Sequence, residues 1–224
     1  MSRDVPPEGW RLARLGDLTE IVGGTTPSKA NPEYWEGGCW FWATPSDITA
    51  LPMGQTRLAS TKSSVSDQAL KETSLKMLPA GSVLMTSRAT IGFAAINTVP
   101  MATNQGFANF LPSKSFDPTF LLQWIAFSRP ILENAAGGST FPEISKATLK
   151  SIPISIPPLA EQRRIAKILS SVDEAIAATR AVIEQTRKVK QGALERLLVN
   201  DRGNGTPPFR VKGTPVRACE GHAG

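Results

Sequence analysis

The chain has 224 residues, 41% hydrophobic and 20% charged, and 25 Lys and Arg against 19 Asp and Glu give it a formal charge of +6. This is globular composition, long enough for one large domain or one and a half with a buried core. No stretch nears the roughly 18 consecutive apolar residues of a membrane span, and residues 1–10 lack the apolar run of a signal peptide, so a soluble, cytoplasmic protein without a membrane partner is expected.

From the N-terminus, the first block is rich in Gly, Pro, Ser and Thr, with short apolar runs at 18–22, 40–43, 82–86, 93–97, 107–111 and 152–156 between turn signals. These runs predict the strands of a mixed, β-rich α/β domain over residues 1–157. Gly81-Ser-Val-Leu-Met-Thr-Ser-Arg-Ala-Thr-Ile-Gly92 followed by Phe-Ala-Ala-Ile predicts a hairpin whose polar tip, Ser87 to Thr90, leaves the core. One helix interrupts the strands. Asp117 is its N-cap, Pro118 its first residue, and Phe120, Leu121, Trp124, Ile125, Phe127 and Leu132 its apolar face, with Pro130 expected to kink or end it.

From Pro158 the period changes. Residues 158–200 contain a single Gly and, after Pro158, no Pro, and Ile165, Leu169, Val172, Ile176, Thr179, Ile183 and Thr186 alternate steps of four and three, the a/d seam of a coiled coil. At about 1.5 Å per residue such a helix is roughly 60 Å long, more than the width of a domain this size, so it is expected to project. Wet apolar side chains forfeit roughly 1.5–3 kcal/mol each, so another helix should cover the seam, from a second copy of the chain or from a partner protein. Residues 201–224 have no apolar period and are expected to be a disordered tail.

The positive charge is uneven. Residues 1–158 hold 13 basic and 12 acidic side chains, 159–200 hold 8 and 5, and 201–224 hold 4 and 2. Within the first block, residues 57–114 hold 6 basic against 2 acidic side chains, a positive band that is either a nucleic-acid surface or a solvated face.

No reaction centre is legible. Cys39 and Cys219 are too few and too far apart for a disulfide framework or a metal knuckle, and the lone histidine, His222, lies near the C-terminus. Gly23-Gly24-Thr25-Thr26-Pro27-Ser28-Lys29 lacks the second Gly of a phosphate loop, and no G-x-G-x-x-G opens a helix. Thr206-Pro207-Pro208-Phe209 is similar to the Asn/Asp-Pro-Pro-aromatic motif of amino-group methyltransferases, but Thr lacks the acceptor that would hold a target amino group. A non-enzyme with no metal and no cofactor of its own is expected.

Five strings in order carry a resemblance: Gly23-Gly24-Thr-Thr-Pro-Ser28, Leu78-Pro-Ala-Gly-Ser-Val-Leu-Met-Thr-Ser-Arg-Ala-Thr-Ile-Gly92, Asn104-Gln-Gly-Phe107, Gly138-Ser-Thr-Phe-Pro-Glu-Ile-Ser145 and Ile156-Pro-Pro-Leu-Ala-Glu-Gln-Arg-Arg-Ile165. Together they resemble the DNA-specificity (S) subunit of type I restriction-modification systems over about residues 8–200. The resemblance implies a target-recognition domain followed by a long conserved-region helix, a pair that full subunits carry twice and this chain once. It implies double-stranded DNA, a DNA adenine methyltransferase (modification) subunit and a restriction/translocase subunit as partners, with S-adenosylmethionine and ATP held by those partners. Two copies pairing through their helices would form a homodimer that reads a split palindrome. A second reading is a truncated assembly module that docks on the methyltransferase and reads nothing.

The candidate DNA contacts are the basic band and the loop tips. Arg88, flanked by Ser87 and Thr90, is the leading candidate, because a bidentate Arg to guanine is the commonest specific base contact; the competing role is a structural ion pair under the hairpin. Lys29, Arg57, Lys62 and Lys76 would serve phosphates. Asn104 and Gln105 would read adenine or, as an amide pinning a turn, brace the fold. Ser139, Thr140 and Lys146, after a Gly-Gly hinge, would touch the DNA backbone. Trp35, Trp40 and Trp42 are expected in the core.

Overall fold

In the computed structural model, residues 6–137 and 142–198 are described. In chain order the first elements are β1 (Arg11–Arg14), α1 (Leu15–Leu18), β2 (Ile21–Gly23), a 3-10 turn (Pro32–Tyr34), β3 (Trp40–Ala43), α2 (Pro45–Thr49), β4 (Arg57–Leu58), β5 (Ser63–Val65) and α3 (Asp67–Glu72). There follow β6 (Val83–Thr86), β7 (Ala94–Asn97), β8 (Ala102–Thr103), β9 (Phe107–Phe110), α4 (Pro118–Phe127), α5 (Arg129–Ala135), α6 (Lys146–Ser151), β10 (Pro153–Ile156) and α7 (Leu159–Leu198). Among the described residues no helix is long and apolar enough to cross a membrane. The chain divides into two units, 1–170 and 171–224.

The centre of the first unit is a five-stranded sheet in the order β2-β9-β6-β7-β4, antiparallel except for the parallel pair β4 and β7. Successive side chains of a strand point to opposite faces, and here both faces are covered. Val83 and Met85 of β6, Ile96 of β7 and Phe110 of β9 join one cluster with Phe120, Leu121 and Ile125 of α4 and Leu149 of α6. Leu84, Ala95 and Phe107, on the other face, pack with Ala43, Ile48, Leu58, Leu78 and Met101. Two-sided burial explains why these strands read as continuous apolar runs rather than as alternations. A three-stranded sheet (β5-β3-β8) and a two-stranded one (β1-β10) complete the unit.

The α4 helix starts as its sequence predicts: the Asp117 carboxylate accepts from Thr119 N–H at 2.9 Å and Phe120 N–H at 3.1 Å, and Pro118 follows. It stops at Ser128, and Pro130 occupies the first turn of α5, where its missing N–H is harmless. Phe127 departs from the expected apolar face and is 73% exposed, while Leu132 is buried. Leu18 belongs to α1 rather than to the strand that begins at Ile21. Trp42 and Trp35 meet edge to face with centroids 5.0 Å apart, whereas Trp40 lies at the surface with its Nε1 donating to Asp67.

The first turns of α7, within the first unit, are held to it. Ala166 is buried in the main cluster and Ile165 packs against that cluster. Ile165, expected in the seam for dimer or partner contact, is therefore engaged with the chain's own core instead. In the second unit Val172, Ile176 and Ile183 are exposed (51%, 43% and 45%), and Val182, Val189 and Leu197 are exposed as well. Thr179 and Thr186 turn their hydroxyls to the helix backbone, donating to Ala175 O and Val182 O at 2.8 Å.

Candidate nucleic-acid interface

Strand register brings the polar segments together. The last residue of β2, Gly23, pairs with Ala108 at the start of β9, and Phe107 beside it pairs with Thr86, the last residue of β6. The segments 24–28, 87–93 and 104–106 therefore open at the same end of the central sheet. A fourth, 142–146, is joined to them through the hairpin tip.

Backbone hydrogen bonds tie these segments into one rim. Thr25 N–H donates to Thr103 O at 2.9 Å, and Ser87 N–H to Gly106 O at 2.8 Å. Ile144 N–H donates to Ser87 O at 3.0 Å and Ala89 N–H to Pro142 O at 3.2 Å, an antiparallel bridge that sets Arg88 opposite Glu143. Gly24 is required by close approach: a Cβ there would collide with the carbonyls of Thr103 and Asn104. The buried Trp42 indole braces the first segment, its Nε1 donating to Thr25 O at 3.0 Å.

The hairpin tip is tightly wound. Ala89 takes φ +58, left-handed and uncommon outside glycine, and Thr90 N–H bonds Arg88 O at 2.6 Å across it. The Thr86 hydroxyl donates to Thr90 O and accepts from Phe93 N–H. Arg129 lies 3.9 Å from the Phe93 ring centroid, a cation–π contact, with its stem against Gly92, and so seats the hairpin exit on α5.

The candidate residues divide accordingly. Arg88 is exposed, with its Nε 2.8 Å from Glu143 Oε1. Gln105 is exposed, and its Oε1 accepts from the Thr26 hydroxyl. Lys146 extends beside Gly23, its Nζ 3.5 Å from where a Cβ would stand. Asn104 directs its Oδ1 to Gly106 N–H at 2.8 Å and pins the turn before β9. Ser87, expected to leave the core at the tip, is buried instead, because its backbone N–H and C=O bridge two other segments. Thr90 is half-buried, and its Oγ1 has no hydrogen-bond partner among the described residues.

Lys29 follows the rim in sequence and is exposed. Arg57 is not brought to the rim: β4 is the sheet edge, and Arg57 pairs with Ile96, which also faces Val83 at the far end of β6. Lys62 is exposed with its backbone N–H on Asp47, and Lys76 is exposed between buried Leu75 and Leu78. Ser139 and Thr140 lie outside the described residues. Thr26 and Glu143 escaped the sequence reading of the site. Both sit in polar strings that it singled out, but their partners are 79 and 55 positions away, a relation that no local pattern encodes. Among the described residues no group of three His, Cys, Asp or Glu side chains is placed to hold a metal ion.

Residues 7–186 match the model of the type I restriction modification DNA specificity domain. The chain is 37% identical over 172 residues to the type I restriction enzyme MjaIX specificity subunit of Methanocaldococcus jannaschii, covering 76% of this chain and 39% of that protein. It is 30% identical over 170 residues to the EcoR124I/EcoR124II specificity subunit of Escherichia coli, covering 73% and 40%. Among solved structures, the HsdS subunit of Thermoanaerobacter tengcongensis superposes with a TM-score of 0.63 at 26% identity, over 90% of this chain and 47% of that one. A chain from a study of assembly and conformational transition in the type I R-M system gives 0.67 at 26% identity, over 87% and 47%. The chain thus spans less than half the length of these relatives.

Proposed function

The chain belongs to the type I restriction modification DNA specificity family, and from this we propose that it is a non-catalytic subunit that reads double-stranded DNA for a modification and restriction complex. In this reading residues 1–157 form a target-recognition domain, 158–200 a helix for pairing and partner docking, and 201–224 a tail. One observation carries the DNA-reading role: four polar segments far apart in sequence are hydrogen-bonded into one rim at a single end of the central sheet. Loops held on rigid strands suit base readout, because the scaffold fixes side chains that must match a groove.

Within the rim, Arg88 and Gln105 are the proposed base readers, with Thr90 beside them. Lys146 and Lys29 serve phosphates, together with the more distant Arg57, Lys62 and Lys76. Ser139 and Thr140 keep their proposed backbone role. Asn104 and Ser87 act by bracing the segments that carry the readers.

The exposed stripe from Leu169 to Ile183 supports pairing of two copies, since each covered side chain contributes roughly 1.5–3 kcal/mol. Two-fold pairing gives a two-fold target, an interrupted palindrome whose spacer follows from helix length. The methyltransferase and restriction/translocase subunits bring S-adenosylmethionine and ATP, and this chain directs them to the site. Selection from a random duplex library at near-physiological salt, alone and with the modification subunit, tests the reading. A split palindromic motif is expected. No enrichment would remove the specificity role, and a non-palindromic motif would remove the homodimer.

A further inference from the structure

The rim holds a single acidic side chain. In segments 24–28, 87–93, 104–106 and 142–146 the charged residues are Arg88, Lys146 and Glu143. A carboxylate on a surface that meets phosphates opposes binding, so its presence calls for a physical role. Glu143 Oε1 lies 2.8 Å from Arg88 Nε, with the two side chains 47% and 46% exposed. The bonds from Ala89 N–H to Pro142 O and from Ile144 N–H to Ser87 O hold the two residues opposite each other without help from their charges. The left-handed Ala89 fixes the tip on which Arg88 stands.

We propose that Glu143 is a specificity-determining residue: its carboxylate holds Arg88 Nε and offsets the guanidinium charge toward phosphate, leaving the two terminal nitrogens for the paired acceptors of a guanine edge. The inference rests on the reading that this rim faces DNA. A phosphate oxygen approaching Arg88 meets the negative carboxylate beside it, so part of the attraction is cancelled. Guanine N7 and O6 are neutral acceptors that the terminal nitrogens reach as a pair, a contact that the Nε bond to Glu143 orients rather than opposes. Glu143 therefore weakens binding to unrelated duplex more than binding to the target.

The test measures binding to the selected sequence and to a duplex lacking it, across a salt series, for the full chain with its modification subunit. The variants are Glu143→Gln, Arg88→Ala and the double variant, with Glu133→Gln as a control for lost negative charge and thermal unfolding as a check on folding. Glu143→Gln is expected to tighten binding to unrelated duplex about two- to fivefold and to steepen the salt dependence by about one phosphate contact. Binding to the selected sequence should stay within about twofold, and in the Arg88→Ala background Glu143→Gln should change neither affinity. Glu143→Ala provides the same readout if Gln disturbs the tip. An unchanged ratio, an equal tightening by Glu133→Gln, or an effect that persists without Arg88 overturns the proposal. Failure of the wild-type chain to select any sequence is a different result, because it removes the DNA-reading role itself.

Discussion

The backbone N–H of Asp117 donates at 2.8 Å to Oε1 of Gln162, a residue 45 positions later in the first turns of α7. The same Asp117 caps α4 through its carboxylate, so the start of one helix and the start of another share a joint. Gln162 is 1% exposed, and its Nε2 donates to Pro157 O at 2.9 Å and Ser115 O at 3.4 Å. Both ends of one amide are thus used in a dry site.

Replacing that amide should destabilise the first unit. Gln162→Ala leaves the Asp117 N–H and two carbonyls without their partner, and about 1–3 kcal/mol of stability is expected to be lost. Gln162→Glu keeps the acceptor but has no donor when ionised, so it should be at least as harmful. Urea unfolding monitored by Trp fluorescence reads the difference, and a loss below about 0.5 kcal/mol would show that water substitutes for the side chain.

Gly24→Ala should disrupt the rim from its other side. The new methyl meets backbone carbonyls rather than a flexible side chain, so the segment must shift, at an expected penalty of about 1–3 kcal/mol. Thermal unfolding measures that penalty. A melting temperature equal to the wild type would mean that 24–28 moves freely against 103–104.

Arg88→Ala should lower preference for the selected sequence by about 1–3 kcal/mol while binding to unrelated duplex changes less. Competition binding against target and non-target duplex separates the two effects. Equal weakening on all sequences would mark Arg88 as a phosphate contact.

Ile176→Glu places a charge in the exposed stripe of α7. On the proposed pairing, burying it against a second helix is strongly unfavourable, so sedimentation analysis is expected to find dimers for the wild-type chain and monomers for the variant. A variant that dimerises normally would refute the seam.

The parts of the fold that read clearly in the sequence were those with long, uninterrupted signals. Strands β3, β6, β7, β9 and β10 fall within apolar runs bounded by turn residues, and α7 declares itself by its period. The two-residue strands β4 and β8 carry too little pattern to detect, and α2 is shorter than two turns although Thr44, Pro45 and Asp47 form a sound N-terminal signal. At the rim, residue type and string were legible but pairing was not. The polar tip was visible at Ser87 to Thr90, yet the burial of Ser87 follows from carbonyl and amide bonds to positions 106 and 144. The stripe shows the converse error: Ile165 fits the spacing of the seam, but the first turns of α7 lie on the domain's own core, and period alone does not say which neighbour a face will meet.

Every residue of β6 and β9 is buried, so the central sheet has no solvent-facing position on either strand. On the proposed reading, stability and recognition are written in separate sets of residues, the first in the strands and the second in the segments that cap their ends. A library varied at Thr26, Arg88, Gln105 and Lys146 would leave each buried side chain of the sheet in place. New target sequences can then be sought in this scaffold without redesigning its interior.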